Sequence, residues 1–120
     1  MINPIPERRR HPRFEGNIPL KTSSDEFDVV TETRNLSATG AFCRVNQNFN
    51  LMTKIKVLLL LPIKKGSKTV TKKVSCKGIV VRVEKQPNGD SNLAIFFNDI
   101  CPKDANCITD YVSHMLAKHH

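Results

Sequence analysis

The chain has 120 residues, with 19 Lys and Arg against 11 Asp and Glu and a formal net charge of +8. Hydrophobic residues make up 39% and charged residues 25%, a globular composition that fits one compact domain. With 6% aromatic residues, no Trp and a single Tyr, the core has to be largely aliphatic, and the longest apolar run, the seven residues from Val57 to Ile63, excludes a membrane-spanning helix, which needs about 18.

The N-terminus, Met1 to Arg13, has charge and proline but no apolar stretch, so no secretory signal is expected and the protein is placed in the cytoplasm. Residues 1–7, with Pro4 and Pro6, are expected to form a mobile arm. Short period-two alternation predicts strands at 18–22, 27–34 and 41–45. Residues 54–61 place Ile55, Val57, Leu59 and Leu61 on one face, and Pro62 is expected to end that strand.

Over residues 69–85, Val70, Val74 and Cys76 share one parity and Ile79, Val81 and Val83 the other, so a bulge or bend is expected at Gly78, where the inward parity changes. Pro87 to Asp90 read as a turn, and Leu93 to Phe97 as the last strand. After Pro102 the spacing of Ile108, Tyr111, Val112, Met115 and Leu116 is that of one amphipathic helix, with Asp104 as cap or first-turn carboxylate. His119 and His120 suit its last turn or an expression tag equally well. About six short strands and a terminal helix argue for an all-β fold, a small antiparallel barrel with the helix packed on it or across one end.

The four cysteines, Cys43, Cys76, Cys101 and Cys107, form no C-x-x-C pair and are expected to be reduced, buried thiols. His11, His114, His119 and His120 lie at the two ends without metal-ligand spacing to them, so no metal site is expected. No carboxylate pair, Cys–His pair or phosphate loop converges on one place, which argues against an enzyme.

The excess charge sits in two blocks of different chemistry. Residues 1–13 carry four arginines and one glutamate, whereas residues 64–85 carry seven lysines, Arg82 and one glutamate. A guanidinium is a flat fork that grips phosphate, stacks on a base or addresses two acceptors on a guanine edge, while an ammonium is a hydrated point charge. Specific recognition is therefore expected at residues 8–13. The lysine block contains no aromatic residue for base stacking, so single-stranded nucleic acid along it is a weaker reading than a soluble, edge-protecting stripe.

Two motifs stand in order: Arg8-Arg9-Arg10-His11-Pro12-Arg13, then Asn35-Leu36-Ser37-Ala38-Thr39-Gly40. The second alone is ordinary turn chemistry, Asn and Ser bonding nearby backbone and Gly supplying a positive φ. Together they resemble the signature of the PilZ domain family of bacterial cyclic di-GMP receptors, R-R-x-x-x-R followed by D/N-x-S-x-x-G, at every specified position. Gly78 to Arg82 and Leu93 to Phe97 look like later strands of that family, so the resemblance covers about residues 7–100.

The resemblance implies a stand-alone, six-stranded antiparallel PilZ-type barrel over residues 8–100, including the arginine loop, with a C-terminal helix at 104–118. It implies a cyclic di-GMP site made of Arg8, Arg9, Arg13, Asn35, Ser37 and Gly40, with Arg10 and His11 as further contacts or solvated residues. No other cofactor is implied. Cyclic di-GMP offers guanine O6 and N7 acceptors, purine faces and two phosphates, and arginine forks suit all three. The resemblance further implies an arm that orders over the ligand and signals to a downstream protein effector in motility, biofilm or virulence, from a monomer or weak dimer. A PilZ-like adaptor that binds protein without nucleotide is the other reading of the same fold.

Overall fold

The computed structural model describes residues 13–25 and 28–118. Six strands follow in chain order: β1 (Pro19–Ser23), β2 (Asp28–Ser37), β3 (Gly40–Val45), β4 (Lys54–Lys65), β5 (Lys68–Lys85) and β6 (Ser91–Asp99), then helix α1 (Pro102–Lys118). They pair antiparallel in the ring β1-β2-β3-β6-β5-β4, with β4 closing back on β1. Alternate residues point inward, as period-two sequences require. Ile55, Val57, Leu59 and Leu61 of β4 meet Val74 and Val80 of β5 and Leu93 of β6, all buried. The core is largely aliphatic, as the composition demanded, with Phe49, Phe97 and Tyr111 as its buried aromatics and Cys43 and Cys76 as its thiols among the described residues.

Helix α1 packs on β2, β4 and β5 through Ile108, Tyr111 and Val112 and covers one end of the barrel. It begins two residues before Asp104. Pro102 takes the first helical position, where its missing N–H costs nothing, the Ala105 N–H donates to the Cys101 carbonyl at 3.0 Å, and Asp104 sits in the first turn near the positive end of the helix dipole.

The structure departs from the sequence expectation at Pro62 and along β5. The strand that Pro62 was to end runs on to Lys65, with Pro62 opposite Thr71. By that point β4 has passed its last partner on β1, Leu59, so proline's missing donor faces an edge rather than a ladder. The inward parity of β5 persists through Val74, Cys76, Gly78 and Val80, and changes only where an extra residue, Val81, is inserted between the pairs Val80–Ile95 and Arg82–Ala94. A register shift does lie at Gly78, but its extra residue is on β6. Gly78 faces inward, where a Cβ would press on the Ile95 side chain at 2.7 Å and the Phe96 carbonyl at 3.2 Å.

The turn expected at Pro87 to Asp90 forms as read: the Gly89 N–H donates to the Gln86 carbonyl at 3.0 Å and Gly89 has φ +93. Residues 1–7, Phe27, His119 and His120 lie outside the described residues. No described helix is long and apolar enough to cross a membrane.

Candidate functional site

The second motif is the β2–β3 hairpin. Asn35, Leu36 and Ser37 end β2, Ala38 and Thr39 form the turn, and Gly40 begins β3 opposite Ser37. A bulge sets its geometry: Thr33 pairs with Cys43 but Asn35 pairs with Phe42, so Arg34 is an extra residue. The bulge reverses the parity of the strand, sending Leu36 into the core at 0% exposure and leaving the Asn35 side chain half-buried at the surface. Without it Asn35 would occupy the inward line of Val29 and Thr33.

Ser37 is fully buried, and its hydroxyl closes the turn. The Ser37 Oγ accepts from the Thr39 N–H at 3.2 Å and shares a hydrogen bond with Thr39 Oγ1 at 3.0 Å. The Phe97 N–H donates to the Thr39 carbonyl at 2.9 Å, tying the turn to β6. Gly40 is not a positive-φ residue, contrary to the simplest turn reading; the positive-φ glycines are Gly66 and Gly89. It is glycine because β6 approaches closely, so that a Cβ would run into the Ile95 carbonyl oxygen.

Of the first motif, Arg13 lies within the described residues, and Arg8, Arg9, Arg10 and His11 do not. An Arg13 Nη1–H donates to Asn35 Oδ1 at 2.7 Å, joining the two motifs across 22 residues of sequence. Phe14 adds a one-residue bridge: its N–H and carbonyl exchange bonds with Leu36, each 2.9 Å. Its ring meets Tyr111 of α1 edge to face, with centroids 6.1 Å apart. Phe14 is thus held between the end of β2 and the helix, and Arg13 beside it is tied to Asn35. Arg34 borders a depression of about 650 Å³ on the outer faces of β2 and β3, also lined by Asn17, Glu32 and Arg44.

Three contributors were not singled out for the site in the sequence. Thr39, an ordinary turn residue by type, shares the Ser37 hydroxyl, and a hydroxyl residue two positions after Ser37 was the available signal. Tyr111 reads only as part of the apolar face of the helix and nothing marks Phe14, so that the fold alone joins them. Neither buried cysteine belongs to the site. Burial pushes the Cys43 thiol up to about 12, and burial together with the negative charges of Asp104 and Asp99 does the same to Cys76. Both are inert core thiols. Among the described residues, no group of His, Cys, Asp and Glu could hold a metal ion.

The PilZ domain model matches residues 7–114. The chain belongs to the PilZ domain family. PilZ domains are non-catalytic cyclic di-GMP receptors. No curated protein sequence matches this chain. Among solved structures it is similar to the Bacillus subtilis inhibitor of motility MotI/DgrA, with TM-score 0.81 and 16% identity over 93% of this chain and 53% of that one. It is also similar to Escherichia coli YcgR in complex with c-di-GMP, with TM-score 0.69 and 10% identity over 94% of this chain and 48% of that one. The PilZ domain of YcgR with c-di-GMP gives TM-score 0.64 and 9% identity over 94% and 95% of the two chains. This PilZ chain spans about half the length of the first two.

Proposed function

We propose that this PilZ domain binds cyclic di-GMP between its arginine segment and the β2–β3 hairpin and passes the event to a partner protein in the cytoplasm. The observation that carries the reading is the 2.7 Å bond from Arg13 to Asn35, which brings the two sequence motifs to one place. Arg8, Arg9 and Arg13 supply forks for guanine edges, purine faces and phosphate, and Asn35 supplies a short amide at the opposing wall. Ser37 and Gly40 act by shape. The Ser37 hydroxyl is engaged with Thr39, and Gly40 lets the turn lie against β6, so both hold the wall that Asn35 stands on. Arg10 and His11 are assigned no separate role.

Ordering of the arm over the ligand is the proposed signal. Its route is short: Arg13 adjoins Phe14, and Phe14 rests on Tyr111 of the helix that caps the barrel. The similarity to an inhibitor of motility favours motility as the output, alongside biofilm and virulence control.

Calorimetric titration with cyclic di-GMP tests the site. Arg9→Ala/Arg13→Ala removes two charged donors and is expected to weaken binding by roughly 3 kcal/mol or more, over a hundredfold. Lys72→Ala/Lys73→Ala is expected to bind like the parent. A parent that does not bind, or a lysine variant that loses binding as badly, overturns the assignment. Amide exchange at residues 5–14 that is equally fast with and without nucleotide overturns the ordering step.

A further inference from the structure

Beyond the barrel, β4 and β5 continue as a two-stranded ribbon. β4 leaves its last β1 partner at Leu59, and β5 acquires β6 only from Lys77 onward. Between those points residues 60–65 pair with 68–73 and residues 74–76 with 57–59, so that this part of β5 has β4 as its one strand partner, and residues 64–71 are exposed. The ribbon therefore has two edges that the barrel does not use.

The register shows which backbone groups those edges present. At the other end of β5, Val80 spends both its groups toward β4, its N–H donating to the Thr53 carbonyl at 3.0 Å and its carbonyl accepting from Met52 at 2.7 Å. Even-numbered residues of β5 thus bond β4 up to the two-residue turn Gly66-Ser67, and Thr69, Thr71, Lys73 and Ser75 turn their N–H and carbonyl groups outward. Their partners on β4 turn outward on the opposite edge, and one of them is Pro62, which has no N–H to offer. The β4 edge is blocked against strand pairing; the β5 edge is open for four successive outward positions.

Charge identifies what the open edge suits. From Thr33 to Val83 the chain contains no Asp or Glu. Lys64, Lys65, Lys68, Lys72 and Lys73 of the ribbon take part in no ion pair among the described residues, whereas Lys77 has Asp99 at 4.0 Å and Arg82 has Glu84. Alternation divides these lysines between the two faces: Lys65, Lys68 and Lys72 share the parity of buried Leu61 and Val74, and Lys64 and Lys73 take the other. A flat anionic surface lying on one face would meet only part of the set. A strand added at the β5 edge sends alternate side chains to both faces and so lies beside Lys68 and Lys72 on one and Lys73 on the other, with Lys64 and Lys65 one strand further in. A second copy of this ribbon would bring lysines against lysines.

We propose that the open β5 edge between Thr69 and Ser75 takes an extended acidic segment of a partner protein as an added strand, main-chain bonds giving the register and lysines on both faces selecting Asp and Glu. The edge belongs to the ribbon itself and does not depend on nucleotide at the arginine site.

The test uses fluorescence anisotropy of the full chain with a labelled peptide of about eight residues alternating Glu with Val and Thr. Controls are the same peptide with proline at two alternate positions, a single-stranded oligonucleotide and phosphatidylglycerol vesicles. The expected result is binding of the alternating peptide that weakens with salt, and at least about tenfold weaker binding of the proline peptide at equal charge. Thr71→Pro, opposite Pro62, removes an outward N–H without touching the β4 ladder and is expected to lose the peptide while keeping all the lysines. Lys72→Glu/Lys73→Glu is expected to lose it with the edge intact. Equal binding of both peptides, or stronger binding of oligonucleotide or vesicles than of the alternating peptide, overturns the proposal.

Discussion

Two hairpins leave the helix-capped end of this barrel, and they are built on opposite principles. The β2–β3 hairpin stops at the barrel wall, with Ser37 and Ala38 buried, its turn bonded to β6 and its first β3 residue pressed against another strand. The β4–β5 hairpin overshoots the wall, ends in the open at Gly66, and carries lysines that form no ion pair among the described residues. The first fixes a few atoms tightly, which suits recognition of one small rigid ligand. The second offers length, edge and charge, which suits an extended macromolecular partner. On the assignments proposed above, one basic protein holds two anion-binding chemistries apart: arginine beside the pinned hairpin, lysine on the free one.

The sharpest way to break the contrast is to put a methyl group on each turn. Gly40→Ala forces a Cβ onto the Ile95 backbone carbonyl, which cannot rotate away as a side chain would. We expect a loss of about 3 kcal/mol, read by urea denaturation, and weakened cyclic di-GMP binding in whatever folds. Gly66 is the converse case. Its φ of +66 is unfavourable for an L side chain, but nothing lies within 4 Å of the added methyl, so Gly66→Ala is expected to cost only about 1 kcal/mol and leave nucleotide binding unchanged. Equal costs at the two glycines would show that the pinned hairpin is not pinned.

Between these lies a pH effect in the strands behind the two hairpins. Cys43 of β3 and Cys76 of β5 have folded-state thiols raised to about 12 by burial, above their ordinary value. The folded state then holds its protons while the unfolded chain releases them. This contribution is complete below the ordinary cysteine range and is lost as pH rises from about 9 toward 12, at roughly 1 kcal/mol per pH unit per thiol. Burial raises the Tyr111 phenol as well, so Cys43→Ala is expected to flatten the alkaline slope of stability without abolishing it, measured by denaturant midpoints at successive pH values. An unchanged slope would mean that the thiols do not carry it.

Much of this was legible in the sequence, and what was not has a common cause. Strand alternation is a local signal, so Ile55 to Leu61 were placed correctly, and the second motif, read as a turn between two strands, is the β2–β3 hairpin. Bulges are pairwise facts: the extra residues at Arg34 and Val81 exist only relative to β3 and β6, and no reading of β2 or β5 alone reveals them. They decide that Leu36 rather than Asn35 enters the core and that Val81 is 48% exposed. Gly40 was read as a turn former because turns are local, whereas its reason is Ile95, distant in sequence. Pro62 was read as a terminator because proline ends central strands. Whether a strand is central depends on β1 having already left it.

The smallest effect concerns the ribbon alone. Lys65 and Lys68 stand directly opposite each other as the closing pair of its turn, a like-charge cross-strand pair that works against folding. Lys68→Glu replaces repulsion with attraction on an exposed hairpin and is expected to raise stability by about 0.5 kcal/mol, an effect that shrinks in high salt. The same substitution is expected to weaken the alternating acidic peptide, because it reverses a charge on one face of the open edge. Folding and partner binding would then pull this position in opposite directions, which is what a lysine kept for a partner requires. A Lys68→Glu variant that gains stability with no loss of peptide binding would reduce the ribbon lysines to a guard against edge-to-edge pairing.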